Sequence, residues 1–84
     1  MTGSLGEIRQ ELAGVAEQLN DAYGHAATAR ARLADALAVL TELGRDHSEP
    51  LVPPELRKAG GELERSLGLI SSGAAAVADI GARM

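Results

Sequence analysis

From Leu5 to Leu43 the apolar residues recur at alternating steps of three and four: Leu5, Ile8, Leu12, Val15, Leu19, Ala22, Ala26, Ala29, Leu33, Ala36, Leu40, Leu43. This is a heptad repeat with its a and d positions filled by apolar side chains, and it predicts one long amphipathic helix over about residues 4–43. A second unbroken run follows, with Leu56, Gly60, Leu63, Leu67, Ile70, Ala74, Val77, Gly81 and Met84 in the same alternation. It predicts a shorter helix over about residues 54–82. The intervening residues 44–53 carry Gly44, Pro50 and Pro53, which end one helix and keep the chain extended before the next. Both stripes have the helical period. The expected fold is therefore all-α, an antiparallel two-helix hairpin forming a single domain over residues 1–84.

The ends of both helices carry start signals. Ser4-Leu5-Gly6-Glu7 fits a capping box, with the Ser4 hydroxyl accepting from the Glu7 amide and Glu7 reaching back. Pro54 and Glu55 suit the first turn of the second helix. The first stripe is bulky from Leu5 to Leu19, small at Ala22, Ala26 and Ala29, and bulky again from Leu33, so a partner helix is expected to come nearest at its middle. Gly24 lies in that region and disfavours helix by about 1 kcal/mol. A break there would give a three-helix bundle, but the heptad phase passes through Gly24 unshifted and predicts a continuous helix. Gly44 is placed as the residue just beyond the helix end. Leu51 and Val52 are too apolar for a free loop and are expected to fold over Leu37, Val39 and Leu40. The second helix is glycine-rich and should need packing to be stable, and Leu69 falls off its stripe as an exposed contact. With the helices unequal in length, Leu5, Ile8 and Leu12 are expected to stand beyond the end of the second helix.

Size turns this pattern into an expectation of self-association. A chain of 84 residues with no Cys, no Trp and no Phe has neither a disulfide framework nor a thiolate metal site. Small scaffolds usually need a staple, and association is the one these residues can supply. The expected assembly is a homodimer forming a coiled-coil-like four-helix bundle, or binding of a larger, unidentified protein partner. The interaction residues are Leu5, Ile8, Leu12, Val15, Leu19, Ala22, Ala26, Ala29 and Leu69. A formal charge of −4 argues against a nucleic-acid partner, because phosphate contact needs clustered Lys and Arg. No apolar run reaches membrane-spanning length. The first residues lack the basic start and apolar core of a signal peptide. The expected location is the cytoplasm, with export by a signal-peptide-independent route left open.

No catalytic, cofactor-binding or metal-binding residues are assigned, and the chain is read as non-enzymatic. His25 and His47 are the only histidines. His25 flanks the stripe, and Asp46-His47-Ser48-Glu49 reads better as a solvated turn than as a ligand set. Ser71 and Ser72 have no neighbouring base. The turn Leu43-Gly44-Arg45-Asp46-His47-Ser48-Glu49-Pro50-Leu51-Val52-Pro53-Pro54-Glu55-Leu56 resembles that of small actinobacterial proteins of unknown function, and seven Arg against one Lys fits a GC-rich genome. The architecture is also similar to the WXG-type helical hairpins exported as dimers by type VII secretion systems, though no Trp-x-Gly is present. That resemblance implies, as an alternative function, a type VII substrate or partner. A small ligand-binding helical bundle is the other alternative, although neither stripe carries Asp, Glu or His at its a and d positions. Far-UV circular dichroism should give a strongly helical spectrum with no strand component, and a spectrum dominated by coil would contradict the two stripes.

Overall fold

The computed structural model describes residues 4–84. It consists of helix α1 (Leu5–Leu43), a connection, and helix α2 (Pro54–Arg83), packed antiparallel as a hairpin. No strand occurs among the described residues. The molecule is a rod of 68 × 18 × 14 Å.

Helix α1 begins where the sequence places its cap. The Ser4 side chain accepts from the Glu7 amide at 3.1 Å, which satisfies one of the amides that a helix start leaves without an intrahelical acceptor. Only this half of the box forms, since Glu7 makes no return bond. The helix then runs without interruption through Gly24. A methyl group at Gly24 would meet nothing within 4 Å, so the glycine is neither a hinge nor a packing necessity. The Thr28 hydroxyl donates to the Gly24 carbonyl at 3.0 Å.

The end of α1 differs from the expected glycine cap. Gly44 has φ −80° and ψ −7°, a right-handed conformation open to any residue. Its amide still donates to the Leu40 carbonyl at 2.9 Å. What Gly44 supplies is space. A Cβ there would lie 3.2 Å from the Leu40 carbonyl oxygen and 3.4 Å from both the Leu51 Cγ and the Leu51 amide nitrogen. The chain folds Leu51 back against the helix end, and a side chain at position 44 would crowd it and the Leu40 carbonyl by a few tenths of an ångström.

The connection meets Leu40 as expected but leaves Val39 and turns toward Thr41. Leu51 and Val52 share a groove with Leu40, Thr41, Gly44 and Arg57, while Val39 stays largely exposed. Val52 is half-buried and Leu51 remains 37% exposed. The pair braces the turn without closing a core over it.

The register also corrects the expected overhang. Leu33 faces Gly60, 3.6 Å from where a Cβ would stand. Leu19 and Tyr23 share a groove with Ile70 and Ala74, and Leu12 and Ala16 share one with Val77 and Gly81. Extended along both helices, this register sets Met84 against the first turns of α1 and Pro54 against Val39. The surplus length of α1 is divided between both ends because the connection climbs past Leu40 before α2 starts. Ile8 and Leu12 are consequently half-buried by α2, and only Leu5, 50% exposed, projects beyond it.

Two glycine substitutions separate these roles. Gly24→Ala should raise stability by about 1 kcal/mol, the helix-propensity difference, because its methyl enters open space. Gly44→Ala should lower the thermal midpoint, because Leu40 and Leu51 must yield. Thermal unfolding followed by circular dichroism checks both signs.

Candidate interaction surface

A two-helix hairpin has a seam but no interior, and the side chains along this seam show it. Leu67, 3% exposed, is the one buried hydrophobic residue among the described residues. All other apolar residues of the α2 stripe are half-buried. Their alternation falls wholly on the seam, so α2 spends its entire stripe on α1.

Helix α1 does not reciprocate. Of its predicted a and d stripe, the a residues Leu12, Leu19, Ala26, Leu33 and Leu40 are half-buried. On the other side of the seam α2 packs against e positions, where Ala16 and Leu37 are half-buried and Tyr23 lines a groove. The d residues are covered less, although Ile8 is half-buried near the free end. Val15, Ala29, Ala36 and Leu43 are exposed, Ala22 is half-buried, and Leu43 reaches 60% exposure. Residues at e add apolar surface one step round the cylinder from a, and α2 rotates toward them. The a/d pattern alone could not show this rotation, although Ala16 and Leu37 at e were the available signal.

The uncovered d line does not stand alone. Successive residues turn by about 100°, so d lies on one side of the a/e seam and b on the other. Reversing the direction of α2 reverses the sense of that rotation, which brings equivalent flanks of the two helices onto the same face of the hairpin. The flank of α2 that joins the d line of α1 is Ala59, Ser66, Gly73 and Ile80. Val39 and Leu69 border the same face on its outer edges. The opposite face is identified by the Arg30–Glu64 ion pair at 3.3 Å, which bridges the helices there. It is also marked by the grooves that join Ala13, Ala16 and Asn20 of α1 to Ser71, Ala74 and Ala78 of α2. The connection lies on that opposite side too, through its contacts with Thr41 and Arg57.

Charge and hydrophobicity divide between the two faces accordingly. Eight large apolar residues are exposed among the described residues, and five of them (Val15, Val39, Leu43, Leu69 and Ile80) belong to the d face or its edges. Neither of the two lines that form the d face carries a charged residue. The ion pair on the other face joins side chains that are 43% and 62% exposed, and pairs so solvated contribute little to stability.

The residues expected to mediate association thus fall into three groups. Ile8, Leu12, Leu19 and Ala26 are used within the hairpin. Val15, Ala22 and Ala29 lie on the uncovered face with Leu69, 67% exposed, at its edge, and Leu5 projects from the free end. Leu43 was read as the last residue of the α1 stripe and Ile80 as a widening of the α2 stripe, so neither was counted among the interaction residues, and nor was the rest of the α2 flank. His25 and His47 are both exposed. Among the described residues no three His, Asp or Glu side chains converge where a metal ion could sit, and no helix is long and apolar enough to cross a membrane. Comparison of the chain with protein-family models, with curated proteins and with solved structures gives no match.

Leu12→Lys tests the division between seam and free surface. Leu12 lines the groove against Val77 and Gly81, so the substitution should destabilise the hairpin by about 1–3 kcal/mol. Glu11→Lys, one residue away on the exposed surface, should stay within about 0.5 kcal/mol. Urea unfolding midpoints measure both.

Proposed function

We propose that this chain is a non-enzymatic helix-to-helix interaction protein that self-associates into a four-helix bundle. The observation that carries the reading is the poverty of its interior, with Leu67 the single buried hydrophobic residue among the described residues and an accessible surface of 6364 Å². A folded monomer of 8.6 kDa is expected to expose about 4,700 Å². The hairpin leaves an excess of about 1,700 Å², whereas a standard interface removes about 800 Å² from each partner. Association supplies the burial that the hairpin alone lacks, and a closed two-fold dimer is the commonest form it takes.

Each hairpin brings a matched pair of helices with one seam already closed. Joining two of them gives each helix a second neighbour, and the half-buried stripe residues gain the shielding that only Leu67 now has. The role this supports is assembly, with the hairpin acting through its surface.

Sedimentation equilibrium at micromolar concentration should return a mass of about 17 kDa, twice the 8.6 kDa of the chain. A mass of 8.6 kDa with a sharp, concentration-independent thermal transition would refute the proposal.

A further inference from the structure

We infer that the occupant of the d face is a second copy of this chain, docked through the same face. This deepens the self-association reading and rests on it. What it adds is the surface, since the hairpin has two broad faces and a projecting end, and association alone does not choose among them.

Three observations select the d face. First, most of the exposed large apolar side chains cluster there or along its edges, and Val15, Leu43 and Ile80 stand at its two ends. Second, the middle of the face is small. Ala22, Ala29 and Ala36 recur every seventh residue on α1, opposite Ala59, Ser66 and Gly73 on α2. Small side chains let helix axes come to the short end of the usual 8–10 Å separation, and bulky ends then close the bundle beyond them. Third, the face is unobstructed, because the connection and the Arg30–Glu64 bridge occupy the other side.

The chemistry and area of the face fit a copy of itself. The two central lines of the face carry no charge, so two copies meeting along them bury no ion, while Glu11, Arg32, Glu62 and Arg83 share the outer edges with Val39 and Leu69. A two-fold axis makes the interface isologous, so one self-complementary patch suffices. The face runs the length of a rod 68 Å long, and the excess accessible surface of about 1,700 Å² leaves room for the roughly 800 Å² per partner that a standard interface removes. The projecting Leu5 is a single residue and cannot match that area.

Matched charge insertions test the face. Ala29→Glu places a carboxylate in the middle of it. Ala34→Glu makes the same change on the opposite flank of α1, at a residue that is equally exposed. The two variants share net charge and helix propensity, so any difference between them is positional. Sedimentation equilibrium and far-UV circular dichroism are run on both and on the unmodified chain. Burying a carboxylate from each copy should raise the dissociation constant of Ala29→Glu at least about 100-fold and bring its mass to that of one chain, while Ala34→Glu stays dimeric. Unfolding of Ala29→Glu alone would support the same face, showing that the hairpin depends on it. Two variants that both remain dimeric, or both dissociate, would overturn the choice of face, as would dissociation of Ala34→Glu alone. In those cases the self-association of the unmodified chain would still stand. An unmodified chain that sediments as a monomer would instead remove the reading beneath.

Discussion

Two cylinders can touch along only one line. Each apolar side chain on the seam meets a single neighbouring helix on one side and solvent on the other, and its burial stops about halfway. Leu67 escapes because it lies near the middle of α2, within the stripe that α1 covers along its length. The remaining features follow from this constraint. The glycine at position 44 admits Leu51 to the end of α1, the connection braces Leu40, and α2 commits its whole stripe to the seam. None of these can add a third layer, so hydrophobic surface remains on both helices after the hairpin has formed.

The asymmetry between the helices decides where that surface lies. Helix α2 has a stripe as wide as its contact with α1. Helix α1 has apolar residues at a, d and e together, more than one partner can cover. By rotating onto a and e, α2 leaves the d line free, and the antiparallel direction brings the matching flank of α2 round to the same side. A face whose two central lines carry no charge therefore emerges from two local choices, the extra apolar residues at Ala16 and Leu37 and the reversal of chain direction at the prolines. The ion pair and the connection fall on the other face by the same geometry.

Helix limits, the Ser4 cap, the uninterrupted passage through Gly24 and the exposure of Leu69 were all legible in the sequence, because each depends on spacing or on a local hydrogen bond. The rotation of α2 about α1 was not. An a/d stripe marks the apolar side of a helix but does not say which edge of that side a partner will choose, and the choice turns on the volumes of Ala16, Tyr23 and Leu37 against Val15, Ala22 and Ala29. The register escaped for a related reason. Helix lengths fix the size of an overhang, while its division between the two ends depends on how the connection climbs, which is set by the packing of Leu51 and Val52. The reason for Gly44 was equally hidden, since an empty place beside a carbonyl leaves the same letter in the sequence as a left-handed turn.

The antiparallel register also makes the hairpin a one-dimensional object. Each pair of facing residues, such as Leu33 with Gly60 or Leu12 with Val77 and Gly81, is supported by the pairs directly above and below it. The connection fastens one end, and the other is held only by its last contacts. Opening can therefore proceed like a zip from the Ser4 and Met84 end, one turn at a time, with the cost rising as the front approaches Leu67. Backbone amides near the free end exchange with solvent through this fraying, those around Leu67 wait until about half the seam has parted, and those beside the connection wait longest, so protection from exchange becomes a measure of distance along the rod.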